Sequence, residues 1–196
     1  MKTNTIILIS VVAVLVIAVF SGISTYNKLV IERENVNSQW ANVESQYQRR
    51  SDLIPNLVAT VKGYATHESS TLEAVVAARS KATQVTIDPK NLTPEKLQEY
   101  QAAQGQVSSA LGKLLMITEN YPDLKANQNF LELQAQLEGT ENRISVERNR
   151  YNDVAKSYGI MIQRFPTVIF ANMFGFEKKP YFEAEKAAAK APSVKF

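Results

Sequence analysis

Val36-Asn-Ser-Gln-Trp-Ala-Asn-Val-Glu-Ser-Gln-Tyr47 sets its apolar and aromatic side chains at Val36, Trp40, Val43 and Tyr47, in steps of four, three and four. On a helix those four share one face, whereas a strand would scatter them over both. The rhythm extends outward: Tyr26 and Leu29 precede it, and Ile54, Leu57, Val61 and Tyr64 follow, with Arg33 and Arg50 in the two places left over. A seam this narrow is the pattern of helices packed near +20°, as in bundles and coiled coils. Pro55 falls inside it; Pro brings no amide donor and disfavours helical backbone at the residue before it, so a kink is expected across residues 52–57.

Toward the amino terminus the seam runs into Ile6-Ile-Leu-Ile-Ser-Val-Val-Ala-Val-Leu-Val-Ile-Ala-Val-Phe20, and no charge occurs between Thr3 and Asn27. Thr5 to Ile23, at about 1.5 Å rise per residue, covers roughly the 30 Å hydrocarbon core of a bilayer. Val and Ile are mediocre helix formers in water, but in lipid every amide must find its partner within the segment, which a helix achieves. The run has no polar stripe, as a buried core helix usually would. A cleaved signal peptide is the rival reading, with Lys2 as its basic flank and Gly22-Ile23-Ser24 as a weak cleavage site; the length of the apolar run favours an uncleaved anchor. The flanking charges, Lys2 before and Lys28 and Arg33 after, do not set the orientation.

Toward the carboxyl terminus, Gly63 and Thr66-His-Glu-Ser-Ser-Thr71 offer a break or a new N-cap before Leu72–Arg79, leaving open whether the helix bends or turns back. Residues 86–94 read as a loop ending in Thr93 as N-cap and Pro94 at the first helical position. A second seam follows: Leu97, Tyr100, Gln104, Val107, Leu111, Leu114, Thr118 and Tyr121, stopped by Pro122. Asp123 or Asn127 then caps a third, with Phe130, Leu133, Leu137, Thr140, Ile144, Glu147, Tyr151, Val154, Tyr158, Met161 and Phe165. The expected fold is all-α: a transmembrane helix, then an antiparallel up-and-down bundle of three long helices, or four if the chain turns back near His67. The layout is a short flank at 1–4, the anchor at 5–23, the bundle at 24–182 and a flexible tail at 183–196. Within 24–182, the aromatic stretch at 165–176 covers one end of the bundle or lies on the membrane surface, with capping favoured.

Length after the anchor suits one domain. Beyond Lys2, 21 basic residues face 19 acidic ones, spread without a basic stripe, so nucleic acid is not an expected partner. The absence of cysteine excludes disulfides and thiolate chemistry, and a single histidine, His67, makes no metal cluster. No serine lies in a nucleophile motif, Gly139 belongs to no phosphate loop, and Glu138, Glu141 and Glu147 have Arg143, Arg148 and Arg150 near for ordinary surface pairing. Catalytic, cofactor and metal residues are therefore expected to be none, and no small-molecule substrate is evident. The informative anomaly is polarity in the seams: Arg50, Gln104, Thr140 and Glu147 stand where a knob should be apolar. They read as devices that fix register and partner, or as long side chains snorkelling out of a wide seam.

Tyr26-Asn-Lys-Leu-Val30, Gln39–Val58, Val61-Lys-Gly-Tyr64, His67-Glu68, Tyr121–Phe130, Leu137-Glu-Gly-Thr-Glu-Asn-Arg-Ile144, Arg150-Tyr-Asn152, Phe165-Pro166 and Phe174-Gly-Phe176, in this order, resemble the LemA family. The resemblance runs from Tyr26 nearly to Phe196. It implies a bacterial single-pass membrane protein whose helical bundle has no established enzymatic activity. Some similar proteins look like lipoproteins, with a Cys where Ile23 stands here; that similarity tilts the expectation toward an extracytoplasmic bundle on the inner membrane. Gly159 stands where the resemblance calls for Asn. Two functions are weighed: a membrane-tethered scaffold or adaptor binding an envelope protein or itself, and an enzyme with a Glu/Arg/Tyr site around Arg50 and Glu147. Val194 and Phe196, apolar-x-apolar before the carboxylate, also form a candidate motif for a PDZ-type partner.

Overall fold

The computed structural model describes residues 3–65 and 67–183. In chain order it contains α1 (Thr3–Lys62), α2 (Ser69–Gln84), a 3-10 turn (Pro89–Asn91), α3 (Pro94–Thr118), α4 (Pro122–Lys125), α5 (Gln128–Gln163) and α6 (Thr167–Met173), with no strand among the described residues. Where chain length suggests one domain, the contacts divide into two compact units. One takes the described part of Met1–Ser38 with Asp153–Lys179; the other takes the described parts of Gln39–Asn152 and Pro180–Phe196.

The second unit is an up-and-down bundle. At the end of α1 the chain turns at Gly63-Tyr64 and comes back as α2, so that Arg79 lies beside Ser51. This settles the break near His67 as a reversal and makes four long helices. α3 runs with α1, placing Tyr100 on Trp40 and Gln104 on Arg50. α5 runs against α1, placing Glu141 on Arg50 and Glu147 on Gln39. The apolar core gathers the seams: Ile54, Leu57 and Val61 of α1, Leu72 and Val75 of α2, Val107, Leu111 and Leu114 of α3, and Phe130 and Leu137 of α5. Caps fall where the turn chemistry puts them. Thr93 Oγ1 accepts from the Lys96 amide at 3.3 Å, and Asn127, rather than Asp123, caps α5 by accepting from the Phe130 amide at 3.0 Å.

Three seam expectations need correction. Tyr64 is exposed and the neighbouring Ala65 takes its place in the core, because the helix ends at Lys62 and the register ends with it. Beyond Tyr151 the face of α5 that is buried includes Ala155 and Ile162, one place later than the expected Val154 and Met161, with Tyr158 kept, and Phe165 is 82% exposed. An ideal helix drifts about 20° per heptad against a strict seven-residue repeat, enough over a helix this long to hand the face to the next residue. Tyr26 is also more exposed than a seam residue, although it touches Phe174 and Phe176.

The first unit joins α6 to α1. Built on the backbone, a Cβ at Gly22 would lie 2.9 Å from the Phe170 ring, so only glycine allows this approach. Tyr26 meets Phe174 edge-on at 4.9 Å between ring centres. α6 stops at Gly175, whose φ of +67° is left-handed, and the Phe176 amide donates back to the Ala171 carbonyl at 2.9 Å. Phe176 is buried and lies under the Arg33 guanidinium. The apolar run within α1 is long and apolar enough to cross a membrane, and its side chains from Ile6 to Ile23 are largely exposed.

Pro55 does not break α1. Its ring removes the amide that would bond the Ser51 carbonyl four residues back, yet Arg79 Nε of α2 donates to that carbonyl at 2.8 Å. The vacancy in the helix ladder is thus filled from the next helix. Arg79→Met is expected to cost about 1–3 kcal/mol by leaving a buried acceptor unmatched, and much less in a Pro55→Ala background, where the restored amide supplies the bond. Denaturant melts of the four proteins of this cycle check the coupling.

Candidate functional site

The four polar seam residues meet different fates. Arg50, only 1% exposed, lies among three helices. Its Nη1 donates to Ser108 Oγ of α3 and to Glu141 Oε1 of α5, each at 2.7 Å. Its Nη2 donates to the Gln104 carbonyl at 3.1 Å and to Gln104 Oε1 at 2.6 Å, and its cationic carbon sits 5.2 Å from the Tyr47 ring centre. The guanidinium does not snorkel. A planar cation with a fixed fork of donors can tie two helices to its own in this way; a lysine could not.

Glu147 is not brought to Arg50. It accepts from Gln39 Nε2 at 2.7 Å and pairs with Arg150 at 2.8 Å, while the carboxylate that reaches the buried arginine is Glu141. Glu141 stood in the sequence as one of three surface carboxylates on α5. Its seam position is one step past Thr140, and a side chain of that length bridges the difference. Thr140, buried, donates to the Gln136 carbonyl of its own helix at 2.7 Å. His67 is exposed, and its neighbour Glu68 accepts from the Tyr121 hydroxyl at 3.0 Å. Val194 and Phe196 lie outside the described residues.

A second constellation was not legible beforehand. Trp40, almost wholly buried, stacks on Phe182 at 5.6 Å with planes 7° apart, and is met by Tyr100 at 5.5 Å and Tyr151 at 5.6 Å. The segment bearing Phe182 is strapped to α5 and α3. Asn152 Nδ2 donates to the Phe182 carbonyl at 2.9 Å and Asn152 Oδ1 accepts from the Phe182 amide at 2.8 Å. Tyr151 donates to the Pro180 carbonyl at 3.2 Å, and the Glu183 carbonyl accepts from Arg148 at 3.0 Å and from Gln101 at 3.1 Å. Glu183, where the sequence suggests the tail begins, is therefore held. An asparagine that exchanges both bonds with an extended backbone does for a helix what a sheet edge would do. The signal available in sequence was Tyr151-Asn152 in one helix and Tyr181-Phe182 after Pro180, but no spacing rule joins them.

Between α1, α2 and α3 a cavity of about 130 Å³ is lined by Glu44, Tyr47, Arg50, Ser51, Arg79 and Tyr100. Arg50 gives its donors to Ser108, Gln104 and Glu141, and Arg79 bonds the Ser51 carbonyl, which makes the constellation a structural tie in chemical terms: a cation neutralised by one carboxylate and sheathed by amide, hydroxyl and ring. Burial pushes the Tyr100 and Tyr151 phenols well above the ordinary tyrosine range. Among the described residues no group of three His, Cys, Asp or Glu could hold a metal ion.

Two outcomes follow from this geometry. Glu141 is 40% exposed at its side chain and can be hydrated alone, whereas Arg50 cannot. Glu141→Gln should thus cost about 3 kcal/mol by leaving a buried charge unpaired, and adding Arg50→Met should recover part of the loss, as urea midpoints will show. For the tyrosines, folded pKa values raised above the unfolded value of about 10 mean that their stability contribution is complete below about pH 10 and is lost as pH climbs toward the folded values. Tyr100→Phe and Tyr151→Phe should each flatten the alkaline fall in melting temperature.

The LemA family matches this chain over residues 39–196. Magnetosome protein MamQ 2 of Paramagnetospirillum magneticum is 27% identical over 206 residues, covering 93% of this chain and 75% of that protein. Magnetosome protein MamQ of Magnetospirillum gryphiswaldense is 26% identical over 186 residues, covering 86% and 68%. Protein LemA of Metamycoplasma hominis is 24% identical over 167 residues, covering 85% and 73%. The matched region takes in the arginine tie, the tryptophan box and its strap, and with that extent of match the chain belongs to the LemA family.

Proposed function

We propose that this protein is a membrane-anchored, non-enzymatic helical bundle that acts as a scaffold or adaptor of the bacterial envelope through protein contacts. The observation that carries the reading is how the buried polarity is used: four hydrogen bonds from Arg50 go to α3 and α5, so its charge holds helices together. Such an interior suits a rigid spacer that presents its outside. Met116 on α3, and Leu131 and Val146 on α5, are exposed apolar side chains on that outside. The apolar part of α1, with few of its residues covered, supplies the anchor. The relatives named for the magnetosome and for LemA agree with a membrane-associated role. The enzymatic alternative asks Arg50 and Glu147 to serve one site, and they are engaged separately.

We place the bundle on the extracytoplasmic side of the inner membrane, supported by the likeness to lipoprotein-like members around Ile23. A reporter fused after Phe196 should be active outside the cytoplasm; activity only inside it overturns the orientation. For the scaffold role, a photo-crosslinking residue at Met116, Leu131 or Val146 in native membranes should yield the same adduct repeatedly, either another envelope protein or a second copy. Recovery of monomer alone from all three positions overturns the reading.

A further inference from the structure

α6 is seven residues long and leaves much of its apolar surface open: Met173 is 67% exposed, and Ile169 and Phe174 are about half exposed. Phe165, in the turn before it, is more exposed still. In water such a helix would be costly, since each large apolar side chain left exposed forgoes the gain of burial. What lies beside it identifies the missing environment. Phe170 rests on Gly22, and between α6 and α1 runs an open groove of about 490 Å³ whose walls include Leu15, Val19 and Ile23 of α1 and Met173 and Phe174 beyond them. Leu15–Ile23 is the last part of the stretch assigned above to the hydrocarbon, so α6 lies at the depth where that stretch ends. Any medium that surrounds Leu15 and Val19 also reaches Met173.

The other flank of the contact is different in kind. Thr25 and Lys28 of α1, Arg164 and Phe165 before α6 and Thr167 at its start line a pocket of about 270 Å³ with no carboxylate on its wall. Lys28 stands about 9 Å along the helix axis from Gly22, the offset expected between acyl chains and the headgroup layer. Two cations with two hydroxyls at that height are the donor set for a phosphodiester, and an aromatic ring beside them belongs at the same interface.

We propose that α6 and its flanks are a second membrane element, a short helix embedded in the interfacial layer of the bilayer that α1 crosses: acyl chains occupy the groove against Leu15–Ile23, while Lys28 and Arg164 receive lipid headgroup phosphates. This rests on the reading of α1 as an anchor and deepens it, because it gives the first unit a two-point attachment to the bilayer.

The chain has no cysteine, so single Cys variants of the full-length protein label cleanly. Ile17→Cys, Ile169→Cys, Met173→Cys and Lys81→Cys are each labelled with a bimane and reconstituted in vesicles of phosphatidylethanolamine and phosphatidylglycerol with and without doxyl-lipid quencher. Ile17 reports the anchor and Lys81, exposed on α2, reports water. The expected result is loss of most emission at Ile17, Ile169 and Met173 and none at Lys81, with the loss at Met173 reduced by Lys28→Glu combined with Arg164→Glu. Quenching at Ile17 without quenching at Ile169 and Met173 overturns the interfacial helix and leaves the anchor standing; no quenching at Ile17 overturns the anchor itself. Disulfide-linked dimer from unlabelled Met173→Cys under an added thiol oxidant, with no quenching of the labelled protein, assigns the groove to a second chain, which also overturns the proposal. If free inorganic phosphate reproduced the effect of the charge reversals, the headgroup assignment would fail.

Discussion

A guanidinium taken out of water must have its donors matched, and this requirement governs the register of the bundle. Arg50 projects from the middle of the packed part of α1, and its fork reaches one acceptor set on α3 and a carboxylate on α5. Sliding either helix by one turn, about 5.4 Å, would part the cation from acceptors it now holds. Apolar seams of Leu, Val and Ile tolerate such slips, because one knob fits most holes; a buried charge does not. The leucines and valines around it supply most of the free energy and little of the discrimination. Pro55 and Arg79 repeat the logic a turn away, with a vacancy in one helix and a donor in the next.

These ties explain why the chain tolerates so much polarity in its seams. Gln104 offers both its side-chain and backbone oxygens to Arg50, so a residue that would weaken an apolar layer becomes half of a chelate. Thr140 returns its proton to its own helix and costs little. Glu147, nearer the margin, trades between an amide and an arginine. The three differ in how they stand to the buried Arg50 guanidinium: Gln104 binds it, and Thr140 and Glu147 bond elsewhere.

Periodicity carried most of the fold. Val36, Trp40, Val43, Ile54 and Leu57 are all buried where a helical face puts them, as are Leu97, Tyr100, Val107, Leu111 and Leu114 on α3. It lost accuracy where its assumption did, in the later part of α5, where a strict heptad and a real helix part company at Ala155 and Ile162. The arginine was visible as an anomaly, but its partner was not. Glu141 belongs to no seam, and pairing across helices depends on side-chain reach that spacing does not encode. The strap was invisible for a related reason: the Asn152 side chain meets Phe182 through the latter's backbone atoms, which every residue has.

The strap also sets an order of events. Trp40 leaves the ribosome before Tyr100 and Tyr151, which reach it as the later helices are made, and Phe182 follows all three. Closing a contact of such long range is slow relative to forming the helices themselves. Until then one face of the indole is bare on the nascent chain, and exposed aromatic surface of that sort is what chaperones bind and what drives wrong association. The segment bearing Phe182 thus acts as the latch of the tryptophan box, which closes only once that segment has been made.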